Sequence, residues 1–154
     1  MSVSQTYARC VSEAPRARPR TGRRTRWLVD GMNVIGSRPD RWWNDPDRAV
    51  RRFIDELVEY AEATGDAVVV VFDRRPPDLT AGTRGPIEVM FASRTGRNAA
   101  DHEIAELVGE AESPETITVV TSDRALVDRV KQRGAKVASA GSFRRRLDAS
   151  RDPR

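Results

Sequence analysis

The run Ala67-Val68-Val69-Val70-Val71-Phe72 has no polar residue at any position. A strand with one wet face alternates apolar and polar side chains, so an unbroken run needs cover on both faces. Helical patterns on either side can supply that cover. Val50, Phe53, Ile54, Leu57 and Ala61 fall on one face of a helix, with Asp45 as its N-cap, Pro46 at its first position and a stop near Thr64-Gly65. A second helix is predicted over 99–111, with Ala100, Ile104, Leu107, Val108 and Ala111 inward. Ser122 reads as the cap of a third, with Leu126, Val127 and Val130 inward and a stop at Gly134. Shorter apolar runs at 27–30, 87–92, 116–121 and 135–138 read as further strands. Segments 31–37 and 74–86 read as loops, the latter because of Pro76, Pro77, Gly82, Gly85 and Pro86. The alternation predicts an α/β fold, a three-layer α/β/α sandwich with a mainly parallel five-stranded sheet of order 3-2-1-4-5.

Such a sheet gathers ligands outside the carboxyl ends of its strands, where the order reverses. Four aspartates fall there. Asp30 ends the first apolar run, Asp73 follows the second, Asp101 opens a helix, and Asp123 follows Val119-Val120-Thr121-Ser122. Carboxylates converging at one edge repel unless a cation lies among them, so Asp30, Asp73, Asp101 and Asp123 are candidate metal ligands and catalytic residues. Asn33 adds a neutral oxygen and an amide donor beside Asp30. Ser37, Arg94, Arg97, Thr121, Ser122 and Arg124 are candidate phosphate contacts, the last three near a helix N-terminus. Each acid also has a plainer explanation. Asp101 and Asp123 stand at helix starts, which favour carboxylates without any metal, and Asp73 precedes Arg74-Arg75, a potential ion pair. The functional case rests on all four sharing one edge. His102 is expected at the surface, Asp128 as the partner of Arg124, and at least one of Trp42 and Trp43 as a loop anchor rather than a base-stacking platform.

Composition narrows the chemistry. Cys10 is the sole cysteine and His102 the sole histidine, which excludes zinc sites built on thiolates or several imidazoles. Oxygen ligands remain, and they favour Mg²⁺ or Mn²⁺. Residues 1–26 carry seven arginines and one acid, an Arg-rich leader whose composition cannot bury enough apolar surface to order itself. It is either a flexible phosphate-contacting arm or a solvated extension; Pro15 and Pro19 argue against a transit-peptide helix. No apolar run approaches the ~20 residues of a membrane span, so a cytoplasmic, membrane-free protein is expected. The expected layout is a leader over 1–25, one domain over 26–148 and a tail over 149–154. No Gly-x-Gly-x-x-Gly or Gly-x-x-x-x-Gly-Lys element occurs, and Lys131 and Lys136 do not follow strands as a receiver domain requires. Met32 stands where haloacid-dehalogenase-type phosphatases place a second aspartate.

Leu28-Val29-Asp30-Gly31-Met32-Asn33-Val34-Ile35-Gly36 resembles the opening motif of NYN domains, especially their YacP-like branch. Val70-Val71-Phe72-Asp73, Asn98-Ala99-Ala100-Asp101-His102-Glu103-Ile104 and Val119-Val120-Thr121-Ser122-Asp123-Arg124 resemble three later elements, in the same order. Gly134-Ala135 and Ser142-Phe143 are similar to the closing piece, so the likeness spans about residues 26–148. NYN domains are similar to PIN domains, metal-dependent ribonucleases with an acidic pocket. The resemblance implies a PIN-like fold and Mg²⁺- or Mn²⁺-dependent endonucleolytic cleavage of RNA, leaving 5′-phosphate and 3′-hydroxyl ends. It carries the acidic role onto Asp30, Asp73, Asp101 and Asp123 and a supporting role onto Asn33. The leader and the Arg- and Pro-rich loop after Asp73 depart from the pattern. The expected partner is RNA (mRNA, rRNA or tRNA, with a link to the ribosome as one option). The main rival is a non-catalytic RNA-binding or ribosome-associated adaptor; a third reading is a phosphatase or nucleotide hydrolase on the same acids.

Overall fold

A computed structural model of the chain describes residues 24–93, 96 and 98–151. Six strands form one sheet: β1 (Arg26–Asp30), β2 (Ala67–Phe72), β3 (Gly82–Arg84), β4 (Ile87–Phe91), β5 (Ile117–Val120) and β6 (Lys136–Ala138). Their order is β3-β4-β2-β1-β5-β6. All neighbours run parallel except β3, which pairs antiparallel with β4. The five parallel strands reproduce the expected order, and the correction is the sixth, short edge strand inside the segment read as loop.

Five helices cover the sheet: α1 (Gly31–Gly36), α2 (Pro46–Thr64), α3 (Ala99–Glu110), α4 (Arg124–Gln132) and α5 (Ala140–Arg151). Alternation along each strand divides the core in two. Trp27, Val29, Val68, Val70, Phe72 and Val120 point toward α1, α2 and α5, where Val34, Phe53, Leu57, Tyr60, Phe143 and Leu147 close the layer. Leu28, Val69, Val71 and Val119 point the other way, against Ile104, Leu107, Leu126 and Val130 of α3 and α4. All six residues of β2 are buried, as its double-faced apolar run demands.

Local chemistry sets the helix limits. The Asp45 side chain accepts the Arg48 amide, Pro46 opens α2, and Gly65 closes it at φ 78°. The cap of α4 is Asp123, whose carboxylate accepts the Leu126 amide at 3.2 Å; Ser122 lies one residue too early for that bond. The segment after Asp30 is helical because Val34 and Ile35 bury themselves against the sheet. Gly31 is required there by packing: a Cβ at this position would stand 2.4 Å from the Phe72 ring.

The buried Asp66 carboxylate holds the strand-entry end together, accepting from Thr25 N–H, Trp27 Nε1–H and Tyr60 O–H at 3.0, 2.9 and 3.3 Å. On the far side of α2, buried Glu56 accepts from Arg144 at 2.8 Å and from Arg151 at 3.0 Å, tying α5 to α2.

Candidate active site

Strand register fixes the acids relative to one another. Asp30 is level with Val71 of β2, and its neighbour Val29 with Val120 of β5, which puts Asp30 level with Thr121. Asp73 and Asp123 each follow two residues beyond that level, on either side of Asp30. Asp30 shares the parity of Leu28 and therefore belongs to the α3–α4 face, where Asp101 stands in the first turn of α3.

Asp30 is 5% exposed and makes no side-chain capping bond to α1. The Thr121 hydroxyl donates to its Oδ2 at 3.0 Å. Burial raises its pKa from 3.8 to about 7, and the nearby Asp101 and Asp73 carboxylates add to that; the Thr121 hydroxyl and the Asn33 backbone amide act in the opposite sense. Asp101 is raised to about 6, first by burial and then by Asp123 and Asp73, with Arg129 opposing. Asp73 is raised by burial, against Arg74. That arginine pairs with Asp47 at 2.7 Å, and among the described residues Asp73 forms no ion pair.

The acids thus interact electrostatically as Asp30 with Asp101 and Asp73, and Asp101 with Asp123 and Asp73. Among the described residues, however, no three His, Cys, Asp or Glu side chains are grouped closely enough to hold an ion together. Like charges are lowest in energy apart, and their coupling here is pairwise. The donor set suits a hard divalent cation in kind and charge: carboxylate oxygens only, one of them raised in pKa by burial and then by its acidic neighbours.

The remaining candidates divide by their partners. The Asn33 side chain accepts the Ser122 amide at 2.8 Å, leaving its NH₂ group as the donor side. Ser122 Oγ accepts the Ala140 amide at 2.9 Å, at the start of α5. Thr121 Oγ1 donates to Asp30 and accepts the Asp123 amide at 3.1 Å. The Thr121 and Ser122 groups named as phosphate contacts are therefore engaged inside the protein, joining β1, α1, β5, α4 and α5. Ser37 Oγ donates to Val34 O at 2.6 Å and closes α1. Arg124 is exposed at the start of α4 and, among the described residues, forms no ion pair with Asp128. Arg94 and Arg97 lie outside the described residues. His102 pairs with Glu106 at 3.1 Å on the helix surface. Trp42 packs on the core while Trp43 is exposed.

Buried Glu103 was not singled out by its sequence position. It accepts from Ser93 N–H at 3.3 Å, fastening the end of the β4 segment to α3 two residues from Asp101. An acid on the inward face of an amphipathic helix was the available signal.

A family model of the YacP-like NYN domain matches residues 27–153. No curated protein matches. Among solved structures, a single-residue variant of Rae1 (YacP) from Bacillus subtilis is similar at 31% identity and a TM-score of 0.67, covering 82% of this chain and 76% of that one. The Rae1 (YacP) structure without that substitution gives 28% identity and a TM-score of 0.63, covering 81% and 74%. The fold, the order of the acidic elements and these likenesses agree, and the chain belongs to the YacP-like NYN domain family, a family of PIN-like nucleases.

Proposed function

We propose that this protein is a cytoplasmic, Mg²⁺- or Mn²⁺-dependent endoribonuclease that hydrolyses RNA phosphodiester bonds at the edge carrying Asp30, Asp73, Asp101 and Asp123. These four carboxylates would hold the cation. When bound, such an ion neutralises developing charge on phosphoryl oxygens and makes water more acidic. The support comes chiefly from Asp30, a carboxylate buried without a capping role and raised to about 7 by burial and by neighbouring acids.

The other residues serve positioning. Thr121 orients one Asp30 oxygen and holds the Asp123 amide, so the two acids keep a fixed relation. Asn33, locked through Ser122, presents its NH₂ group as a donor for a phosphoryl oxygen. Arg124, exposed at the start of α4 next to Asp123 and unpaired with Asp128, would contact a flanking phosphate. The RNA is mRNA, rRNA or tRNA, with ribosome-linked RNA included.

Purified full chain is incubated with end-labelled RNA, with Mn²⁺ and then with chelator. Cleavage is expected only with the ion, and Asp123→Asn is expected to abolish it while the circular dichroism spectrum stays unchanged. Wild-type rates in Asp123→Asn would refute the assignment. The absence of a three-carboxylate group among the described residues favours a second reading, a non-catalytic RNA-binding adaptor. That protein would bind RNA with steep salt dependence and show no metal-dependent turnover.

A further inference from the structure

A cavity of about 350 Å³ lies between α1, the Trp42–Asn44 turn, α2 and α5, and none of the four aspartates lines it. This is within the ~300–1,000 Å³ range of small-molecule sites. Arg38, Arg41, Arg48, Arg52 and Arg144 line it together with Trp42. Three acids also line it, Asp40, Asp45 and Glu56. Two of these are already used: Asp45 caps α2, and Glu56 accepts from Arg144 and Arg151. Arg38 pairs with Asp148 outside the cavity lining.

The remaining cations have no such relief. Among the described residues Arg41, Arg48 and Arg52 form no ion pair, and all three are exposed. Arg144 is 9% exposed, and its buried Nε–H has no acceptor. Five guanidiniums thus face three carboxylates around the cavity, and one buried guanidinium N–H lacks an acceptor, so the lining carries net positive charge. Arg41 is also the one described non-glycine residue at positive φ, 63°, a sparsely populated conformation for an L side chain.

Topology places the cavity near the acids. A helix joining parallel strands starts at the end where the first strand finishes, so the N-terminal half of α2 stands at the sheet end that carries Asp30. The acids occupy the α3–α4 side of that end and the arginines the α1–α2–α5 side.

We propose that this cavity is a phosphate-binding subsite for single-stranded RNA, in which Arg41, Arg48 and Arg52 hold a phosphoryl group and Trp42 borders the adjoining base. It rests on the nuclease reading for the identity of the strand, and guanidinium forks match phosphate oxygens well.

Binding of a short, 3′-labelled, 5′-phosphorylated single-stranded RNA is measured by fluorescence anisotropy in chelator, across a salt series. The proteins are wild type, the Arg48→Ala/Arg52→Ala double variant, Arg41→Asn, and Lys131→Ala/Lys136→Ala as a charge-matched control. Asn tolerates the left-handed backbone, so Arg41→Asn should fold even if the double variant does not. The double variant is expected to lose affinity on the order of ten-fold. Its log K against log salt slope should fall by about 0.7, the value for one lost single-strand phosphate contact. Arg41→Asn should move both quantities in the same direction by about half, and the lysine control neither. Unchanged affinity, lost affinity with an unchanged slope, an equal effect in the control, or no RNA binding by wild type would each overturn the subsite. The nuclease reading fails separately. Wild type that shows the expected binding pattern yet never cuts with Mn²⁺ refutes catalysis alone, and cleavage with normal binding by the arginine variants refutes the subsite alone.

Discussion

Replacing Asp30 by Asn should stabilise the metal-free protein while ending its activity. Moving an aspartate from 3.8 to about 7 corresponds to roughly 4 kcal/mol at about 1.4 kcal/mol per decade. The sign follows from proton linkage. The folded state binds the Asp30 proton more tightly than the unfolded chain, so folding carries no penalty below the unfolded value. The penalty grows as pH rises from about 4 to about 7 and is complete above that. Asn is isosteric, carries no charge and keeps an oxygen to accept the Thr121 hydroxyl at the Asp30 position. Relaxation around the charge will reduce the gain, so about 1–3 kcal/mol is expected at pH 8. For a chain of this size that is roughly 2–12 °C in melting temperature, at about 2–4 °C per kcal/mol. The assay is thermal unfolding by circular dichroism in chelator at several pH values between 4 and 8. The two melting curves should coincide near pH 4 and separate steadily toward pH 8. A variant that is less stable at pH 8, or a gap that does not change with pH, would refute the electrostatic account of this edge.

Gly31→Ala should destabilise by about 1–3 kcal/mol in urea titration, because the added methyl meets the Phe72 ring; a loss below about 0.5 kcal/mol would mean the ring moves freely. Asp66→Ala leaves Trp27 Nε1 and Tyr60 O–H without their shared acceptor and should cost at least about 1–3 kcal/mol by the same titration. The Tyr60 hydroxyl, raised to about 12 by burial and then by Asp66, should titrate at lower pH in that variant, read from ultraviolet absorbance.

What the sequence disclosed follows from which features repeat. The helices over 46–64, 99–110 and 124–132 and the parallel strands carry runs or periodicities set by burial, and these are visible in one dimension. The strand Gly82–Arg84 has no such signature, since it is an exposed edge whose one partner is β4. The helix Gly31–Gly36 is framed by glycines and held by the sheet beneath Val34 and Ile35, a tertiary cause. In α5, Phe143 and Leu147 are spaced for a helix, but the arginines between them hid it; buried Arg144 is tolerated because Glu56 receives it. The acids of the candidate site were legible because strand ends place them. The partners of Thr121, Ser122 and Asn33 were not, because each bond joins segments 89 or 91 residues apart, or 18 in the case of Ala140. The arginine cavity joins residues 35–56 to Arg144 of α5, and that long-range closure leaves no local mark.

The bond from the Ala140 amide to Ser122 Oγ has a consequence for biosynthesis. Ser122 in turn secures Asn33, close in sequence to Asp30. An emerging polypeptide that stops at β6 lacks this latch, together with the Arg144 contact that clamps the last helix onto α2. The edge that carries the four aspartates therefore reaches its final geometry only once the chain has been made through α5.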